Sequence, residues 1–281
     1  MAGASTPGRT AAVDRSTAAV AHVVPPRLVR VGAVAGYFAA VWRRAWVGSV
    51  ISRVGGPVLF LLALGLGLGS LVDESSGGVG GTSYLLFVAP AMFAVQGMLD
   101  ATNESLWPVY GMFVWNRMYH AMVATPLSVG DLLAGHLLVI AAQTAAGGLA
   151  YLLVAALLGA VTSWWALLCV PVGVLTCLAF AAPFIGIAAR ARTDAVFNLV
   201  FRLVVTPLML FSGVFFPVGS LPVVLQALAG CTPLWHGVEL SRAVAAGAPD
   251  LMSLLHLVVL LVAIALGALL ARTGLSARLV G

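Results

Sequence analysis

TPLMLFSGVFFPVGSLPVVLQALAGCTPLWHGVELSR, residues 206–242, decides how the rest of the chain is read. The stretch opens in an apolar run, breaks at Ser212-Gly213, and passes Pro217, Gly219, Pro222 and Pro233 before polar side chains return at His236, Glu239 and Arg242. Proline removes a backbone donor and glycine loosens the chain, so both end helices. In lipid, the freed backbone groups must find partners within protein or at the water interface. A broken apolar segment of this kind is uncommon in a simple anchor, and it reads as lining or capping a path.

Outward from this stretch the chain is strongly apolar. Of 281 residues, 62% are hydrophobic and 8% charged, and the mean hydropathy is +1.09. A soluble domain carries about 25% charged residues, so the composition specifies an all-α polytopic membrane protein. The formal charge of +5 would suggest nucleic acid in a soluble protein; here its placement along the chain accounts for it, and no nucleic-acid partner is expected. All fourteen basic residues are arginine. Without a lysine the chain cannot hold an ordinary GxxxxGK[ST] phosphate loop. Cys169 and Cys177 lie in an apolar run and read as small buried hydrophobes. With Cys231 they make an odd set that excludes a disulfide framework, and no metal site is expected.

Residues 1–30, rich in Ala, Thr, Pro and Arg, read as a flexible cytoplasmic tail, with no apolar core for a cleavable signal. Residues 31–281 then form the membrane domain. Over 33–53, Val34, Tyr37, Phe38, Val41, Trp42, Ala45, Trp46 and Val50 share one helical face, with Arg43 and Arg44 opposite. Aromatics opposed to arginines predict an amphipathic helix in the headgroup plane; the plainer alternative is a lead-in to the first span. Six apolar segments follow near 55–72, 84–102, 132–159, 165–188, 196–218 and 252–271, each close to the roughly 20 residues that cross a bilayer. Gly65, Gly67 and Gly69 in the first would permit close helix approach.

Arginine placement fixes an orientation. With Arg202 at the inner end of its helix, thirteen arginines fall on one side and only Arg242 on the other. The positive-inside rule then puts both termini in the cytoplasm, 103–131 and 189–198 inside and 219–251 outside. The inner loop 103–131 is too broken by Pro108, Gly111 and Pro126 to span, yet it carries Trp107, Tyr110, Phe113, Trp115 and Tyr119. Exposed aromatics at this density suggest a docking surface, with the headgroup belt as the alternative. A short helix near 114–124, ending before Thr125-Pro126, is predicted to present side chains to a cytoplasmic partner.

Polar groups within apolar runs are the remaining signals. Gln96 and Asp100 share a face of the second span, with Asn103 and Glu104 beyond them. An intramembrane carboxylate usually faces protein or water; alternatively, these acids mark the helix end at the interface. Asn198 and Arg202 could partner Asp100 or Glu104, or snorkel. His236, Glu239 and Arg242, at steps of three, could bind a polar headgroup or pair with one another. His136 and His256 read as side chains satisfied by a neighbouring carbonyl. Ser212 with His236 or His256 supplies the residue types of an intramembrane hydrolase, but there is no GxSxG elbow. A secondary transporter, which also uses broken helices, is the stronger rival.

GLGLGSLV at 65–72, YHAMVATPLSVGDLLAGHLL at 119–138, TPLMLFSGVFFPVGSLPVVLQ at 206–226 and PLWHGVELSR at 233–242 carry a family resemblance. In order and spacing, from about residue 30 onward, the chain resembles the membrane subunits of type-2 ABC exporters, especially the daunorubicin-resistance and nodulation lipo-oligosaccharide permeases. The resemblance implies a subunit without ATPase activity or cofactor of its own, with ATP and Mg on a separate nucleotide-binding partner. It implies a translocation path built with a second permease chain, identical or paralogous, in a bacterial cytoplasmic membrane. Asn116, Arg117, Met118, Tyr119, Ala124, Thr125 and Pro126 would belong to the coupling helix that meets the ATPase. Tyr37, Phe38, Trp42, Arg43, Arg44 and Trp46 would mark the interfacial helix. Residues 215–245 would form re-entrant extracellular helices, with Gln96, Asp100, Ser212, Phe215, Phe216, His236, Glu239 and Arg242 on a path or gate. The cargo would be an amphipathic drug, a glycolipid or a lipid-linked saccharide.

Overall fold

A computed structural model describes residues 24–79 and 81–280. Apart from one bridge between Val79 and Thr82, the described residues form helices, turns and irregular segments, with no strand. Helix α1 (Arg27–Phe60) runs through a π-helical stretch, Leu61–Leu68, into α2 (Gly69–Ser76). Then come α3 (Tyr84–Ser105), α4 (Trp107–Val114), α5 (Met118–Val123), α6 (Val129–Leu157) and α7 (Cys169–Arg190). Next are α8 (Ala195–Val200), a π-helical turn at Phe201–Val205, and α9 (Thr206–Phe211). The chain ends with α10 (Val223–Gly230), α11 (Pro233–Ala245) and α12 (Leu251–Leu279).

Five helical runs are long and apolar enough to cross a bilayer: Arg27–Ser75, Tyr84–Val114, Val129–Leu157, Trp164–Arg190 and Leu251–Leu279. The expected fifth span is shorter than predicted, since the run Ala195–Phe211 stops at Phe211 rather than at 218. At 1.5 Å per residue it reaches about 26 Å, less than a hydrocarbon core of about 30 Å. Pro207 explains the π turn before it, because a residue without an N–H disturbs the preceding hydrogen-bond ladder. There the Thr206 hydroxyl donates to the Phe201 carbonyl at 3.0 Å.

The predicted interfacial helix and first span are likewise one run, kinked at Ala45, whose φ/ψ of −118°/15° leaves the helical range. A helix in the headgroup plane that bends into the span at Ala45 and a plain lead-in share this connectivity. Val34 and Phe38 are buried on this run, and Phe38 stacks on His136 of α6 with ring centroids 4.1 Å apart. Arg43, Arg44 and Trp46 are exposed, and Tyr37 and Trp42 are half-buried.

Helix α7 is the hub: α3, α6, α11 and α12 all pack on it. Close approach to α3 depends on Gly97, where a Cβ would collide with the Gly173 carbonyl oxygen. In a membrane, small residues of this kind gain stability from van der Waals contact between backbones, since lipid supplies little hydrophobic drive. Of the three early glycines, Gly65 and Gly69 lie against Leu85 and Tyr84 of α3, while Gly67 faces no neighbouring element. On α12, Leu254, Leu255, Val258, Leu261, Leu266 and Leu269 are exposed along an apolar surface suited to acyl chains.

Candidate functional site

Three helices bring five polar side chains together inside the bundle. Arg53 of α1 is 6% exposed, and its Nη1 stands 2.8 Å from Asp100 Oδ2 in an ion pair that is not aligned as a hydrogen bond. Its Nη2 donates to Glu104 Oε1 at 2.5 Å and to Gln143 Oε1 of α6 at 2.8 Å. Gln96 Nε2 donates to Asp100 Oδ1 at 2.6 Å. A charge taken out of water persists only when paired and hydrogen-bonded, and this cluster meets that condition. Asp100 is thus a buried, paired carboxylate that faces protein. Its partner is not Arg202, which is exposed.

Gln96 also lines a cleft of about 90 Å³ where α1, α3 and α9 meet. Ser52, Gln96 and Asn103 supply its polar groups, and Phe60, Met92, Met209 and Phe215 its apolar wall. The cleft is therefore amphipathic, with the buried ion cluster directly behind Gln96.

Beyond the cleft, the break at Ser212-Gly213 is held by one side chain. Gly213 has φ +80°, a conformation that a Cβ strains. The helix ends there, and the freed carbonyls need donors. Arg242 of α11 supplies them: Nη2 donates to Gly213 at 2.6 Å and to Val214 at 3.2 Å, and Nε donates to the Phe87 carbonyl of α3 at 3.2 Å. Its Nη1 donates to Glu239 at 3.0 Å, and its guanidinium lies 3.7 Å from the Phe87 ring centroid. Arg242 is thus a structural tie between the break, α3 and α11, and Glu239 pairs with it as the mutual-pairing alternative requires. Tyr84 adds a second tie, its hydroxyl donating to the Phe215 carbonyl at 3.1 Å. Ser212 is buried with no hydrogen-bond partner for its hydroxyl, and Phe215 and Phe216 are half-buried.

His236 joins a different partner. Its Nε2 lies 2.9 Å from the Gly230 carbonyl, and its Nδ1 lies 2.7 Å from Nδ1 of His256. A carbonyl only accepts, so Nε2 carries the proton. In the neutral ring Nδ1 is then the acceptor, and His256 donates through its own Nδ1. The expectation that His256 rests on a carbonyl is corrected here: two rings from α11 and α12 satisfy each other. Burial holds the His236 imidazolium below its ordinary pKa, the neighbouring His256 adds to the effect, and the Gly230 carbonyl opposes it.

The loop between α3 and α6 folds differently from its prediction. Helix α5 covers only Met118–Val123, because Arg117 before it adopts φ 49°, the left-handed region. Tyr119 is fully buried, with its hydroxyl 2.7 Å from His136 Nδ1; this hydroxyl, not a carbonyl, is the His136 partner. Tyr110 and Phe113 are buried and Trp107 is half-buried, leaving Trp115, at 70% exposure, as the exposed aromatic of the five. Arg278 of α12 sits 4.5 Å from the Phe113 ring centroid and donates to the last carbonyls of α7, folding the loop onto the bundle. Asn116, Arg117, Ala124, Thr125 and Pro126 are exposed and Met118 is half-buried.

Sequence reasoning missed Arg53 and Gln143 as partners of the acids. The available signal was an arginine four residues before Pro57 and an amide in the apolar third segment.

The ABC-2 type transporter family model matches residues 33–245. Nodulation protein J of Rhizobium leguminosarum bv. viciae is 36% identical over 239 residues, covering 85% of this chain and 90% of that protein. Nodulation protein J of Rhizobium leguminosarum bv. trifolii is 37% identical over 209 residues, 74% of this chain and 78% of the relative. The Rhizobium meliloti protein of the same name is 34% identical over 226 residues, 78% of this chain and 84% of the relative. Broken apolar helices around a polar cleft, a family match across most of the helical bundle and relatives of similar length together define the chain: it belongs to the ABC-2 type transporter family, as a multi-pass membrane component.

Proposed function

We propose that the chain is the permease subunit of an ATP-driven exporter, coupled to separate nucleotide-binding subunits that carry ATP and Mg. Two permease chains, identical or paralogous, enclose the path. The observation that carries this reading is the amphipathic cleft between α1, α3 and α9. Its polar groups suit a headgroup or sugar, and its aromatic and methionine wall suits an acyl or polycyclic portion. The cargo is accordingly an amphipathic drug, a glycolipid or a lipid-linked saccharide.

The chain crosses a bacterial cytoplasmic membrane six times in this reading, with the short Ala195–Phe211 run completing its crossing through the turn at 212–217. Both termini are cytoplasmic; the start of α1 and the last turns of α12 lining one recess with the start of α6 supports this. Helices α10 and α11 are the re-entrant pair at the outer face. Residues 116–126 form the surface that receives motion from the ATPase. The left-handed Arg117 supports this role, since strained backbone persists where surrounding structure holds it for a purpose.

Co-expression with a candidate ATPase, followed by co-purification and ATP turnover in lipid vesicles, tests the reading. Turnover should rise on complex formation and rise again with a transported amphiphile. Uptake driven by an ion gradient without any ATPase would instead establish a secondary transporter.

A further inference from the structure

One end of the bundle holds a recess of about 400 Å³ that the proposed transport path does not use. Arg27 and Arg30 from the start of α1, Ser128 before α6, and Arg272 and Ser276 from the end of α12 line it, with Asp131 at its floor. Arg30 Nε donates to Asp131 at 2.7 Å, and Arg27 Nε stands 3.6 Å from the other carboxylate oxygen. Arg272 has no hydrogen bond or ion pair among the described residues. Three guanidiniums therefore line a recess whose one carboxylate pairs with two of them, Arg30 also donating to the Pro25 carbonyl at 2.9 Å, and this excess of like charge calls for an added anion.

The surroundings say which anion. A groove of about 220 Å³ lies alongside, sharing Arg30 and lined by Pro25, Val29, Ala33, Leu127 and, at its edge with the proposed coupling segment, Thr125 and Pro126, with almost no polar surface. A free phosphate or a partner's carboxylate would use the recess and leave this groove empty. A phospholipid would fill both, and basic pockets between spans on the cytoplasmic side bind anionic headgroups. We propose that Arg27, Arg30 and Arg272 hold the phosphate of an anionic phospholipid, with an acyl chain along the groove beside Val29 and Leu127. The bound lipid joins the ends of α1, α6 and α12. The site rests on the proposed cytoplasmic placement of this end and borders the proposed coupling segment at Thr125-Pro126, so it is tested on the chain without an ATPase, where its failure is read separately from that of the transport reading.

Native mass spectrometry of the full-length chain in detergent tests this, with phosphatidylglycerol, phosphatidylcholine of the same acyl chains, or inorganic phosphate added. Phosphatidylglycerol should be retained several-fold more than phosphatidylcholine, and phosphate alone should leave no adduct. The double variant Arg27→Gln/Arg272→Gln should lower phosphatidylglycerol retention to the phosphatidylcholine level. Arg192→Gln, removing an exposed arginine outside the recess, should leave it unchanged. Equal retention of the two lipids, a phosphate adduct as abundant as the lipid, or equal losses in the double and Arg192 variants would overturn the proposal. So would full lipid retention by the double variant.

Discussion

Asp100 Oδ2 lies 2.8 Å from Nη1 of Arg53, so two apolar helices meet through a buried carboxylate and guanidinium. Breaking such a pair from one side costs about 3–5 kcal/mol, because the surviving charge is left uncompensated. Replacing both partners with apolar residues of similar volume can be neutral. Arg53→Met and Asp100→Leu should each lower the melting temperature of the purified chain sharply, and because Arg53 also serves Glu104, recovery of most of the loss should need the triple variant Arg53→Met/Asp100→Leu/Glu104→Gln. Single variants that melt like the wild type would show that the pair contributes nothing.

The His236–His256 contact predicts a pH dependence. Burial keeps the folded-state pKa of His236 below its ordinary value, while the unfolded chain takes up that proton near about 6.5. The unfolded state thus binds more protons in the window just below 6.5. Stability is complete above it and declines as pH falls through it. Glu239 on α11 and Asp250 before α12 are the acids facing the pair, with Arg242 bonded to Glu239. The Ser253 amide and hydroxyl hold the Asp250 carboxyl below the usual range, so it stays charged in this window. Melting temperatures between pH 8 and pH 5 should fall below about 6.5. His236→Gln, which can still donate to Gly230 and accept from His256, should flatten that decline.

Arg242 serves three backbone carbonyls and one carboxylate from a planar fork. A lysine cannot reproduce that geometry, and each buried carbonyl left without a donor costs about 1–3 kcal/mol. Arg242→Lys should therefore destabilise by at least this amount in thermal melts. Glu239→Gln, at a partly exposed carboxylate, should cost under about 1 kcal/mol. Equal effects would mean that the ion pair, and not the carbonyl set, holds the break.

Two neighbouring positions in the inner loop should separate coupling from folding. Arg117→Ala replaces one exposed non-glycine side chain with another and should change the unfolding free energy by no more than about 0.5 kcal/mol. In the proposed complex it should sharply reduce stimulation of ATP turnover. Tyr119→Phe should do the reverse, costing about 1–3 kcal/mol through the lost partner of buried His136 while leaving the docking face intact. Unchanged stimulation in the first variant would move the coupling surface elsewhere.

The long apolar runs were legible because bilayer thickness imposes a length on them, and Ser212-Gly213 announced the break through its backbone chemistry. Arg53 was not legible. An arginine between Ser52 and Val54 on an amphipathic run reads as surface charge, and only the packing of α1 on α6 and α3 turns it inward. The aromatics of 107–119 misled for a related reason. The loop is polar and broken, which suggested exposure, but Arg278, some 160 positions away, folds it against the bundle. The continuity of α1 was hidden because Gly55, Gly56 and Pro57 stand where a helix would end, yet α1 runs through them to Phe60.

The tie made by Arg242 has a consequence for recombination. SGVFFP at 212–217 and HGVELSR at 236–242 are separated in sequence, yet one supplies the carbonyls that the other's guanidinium serves. They form a single heritable module with a loop between its halves. A chimera with a relative that is joined between residues 218 and 235 matches a foreign break with a native fork. Viable crossovers should instead cluster before 206 or after 250, where the whole module travels together.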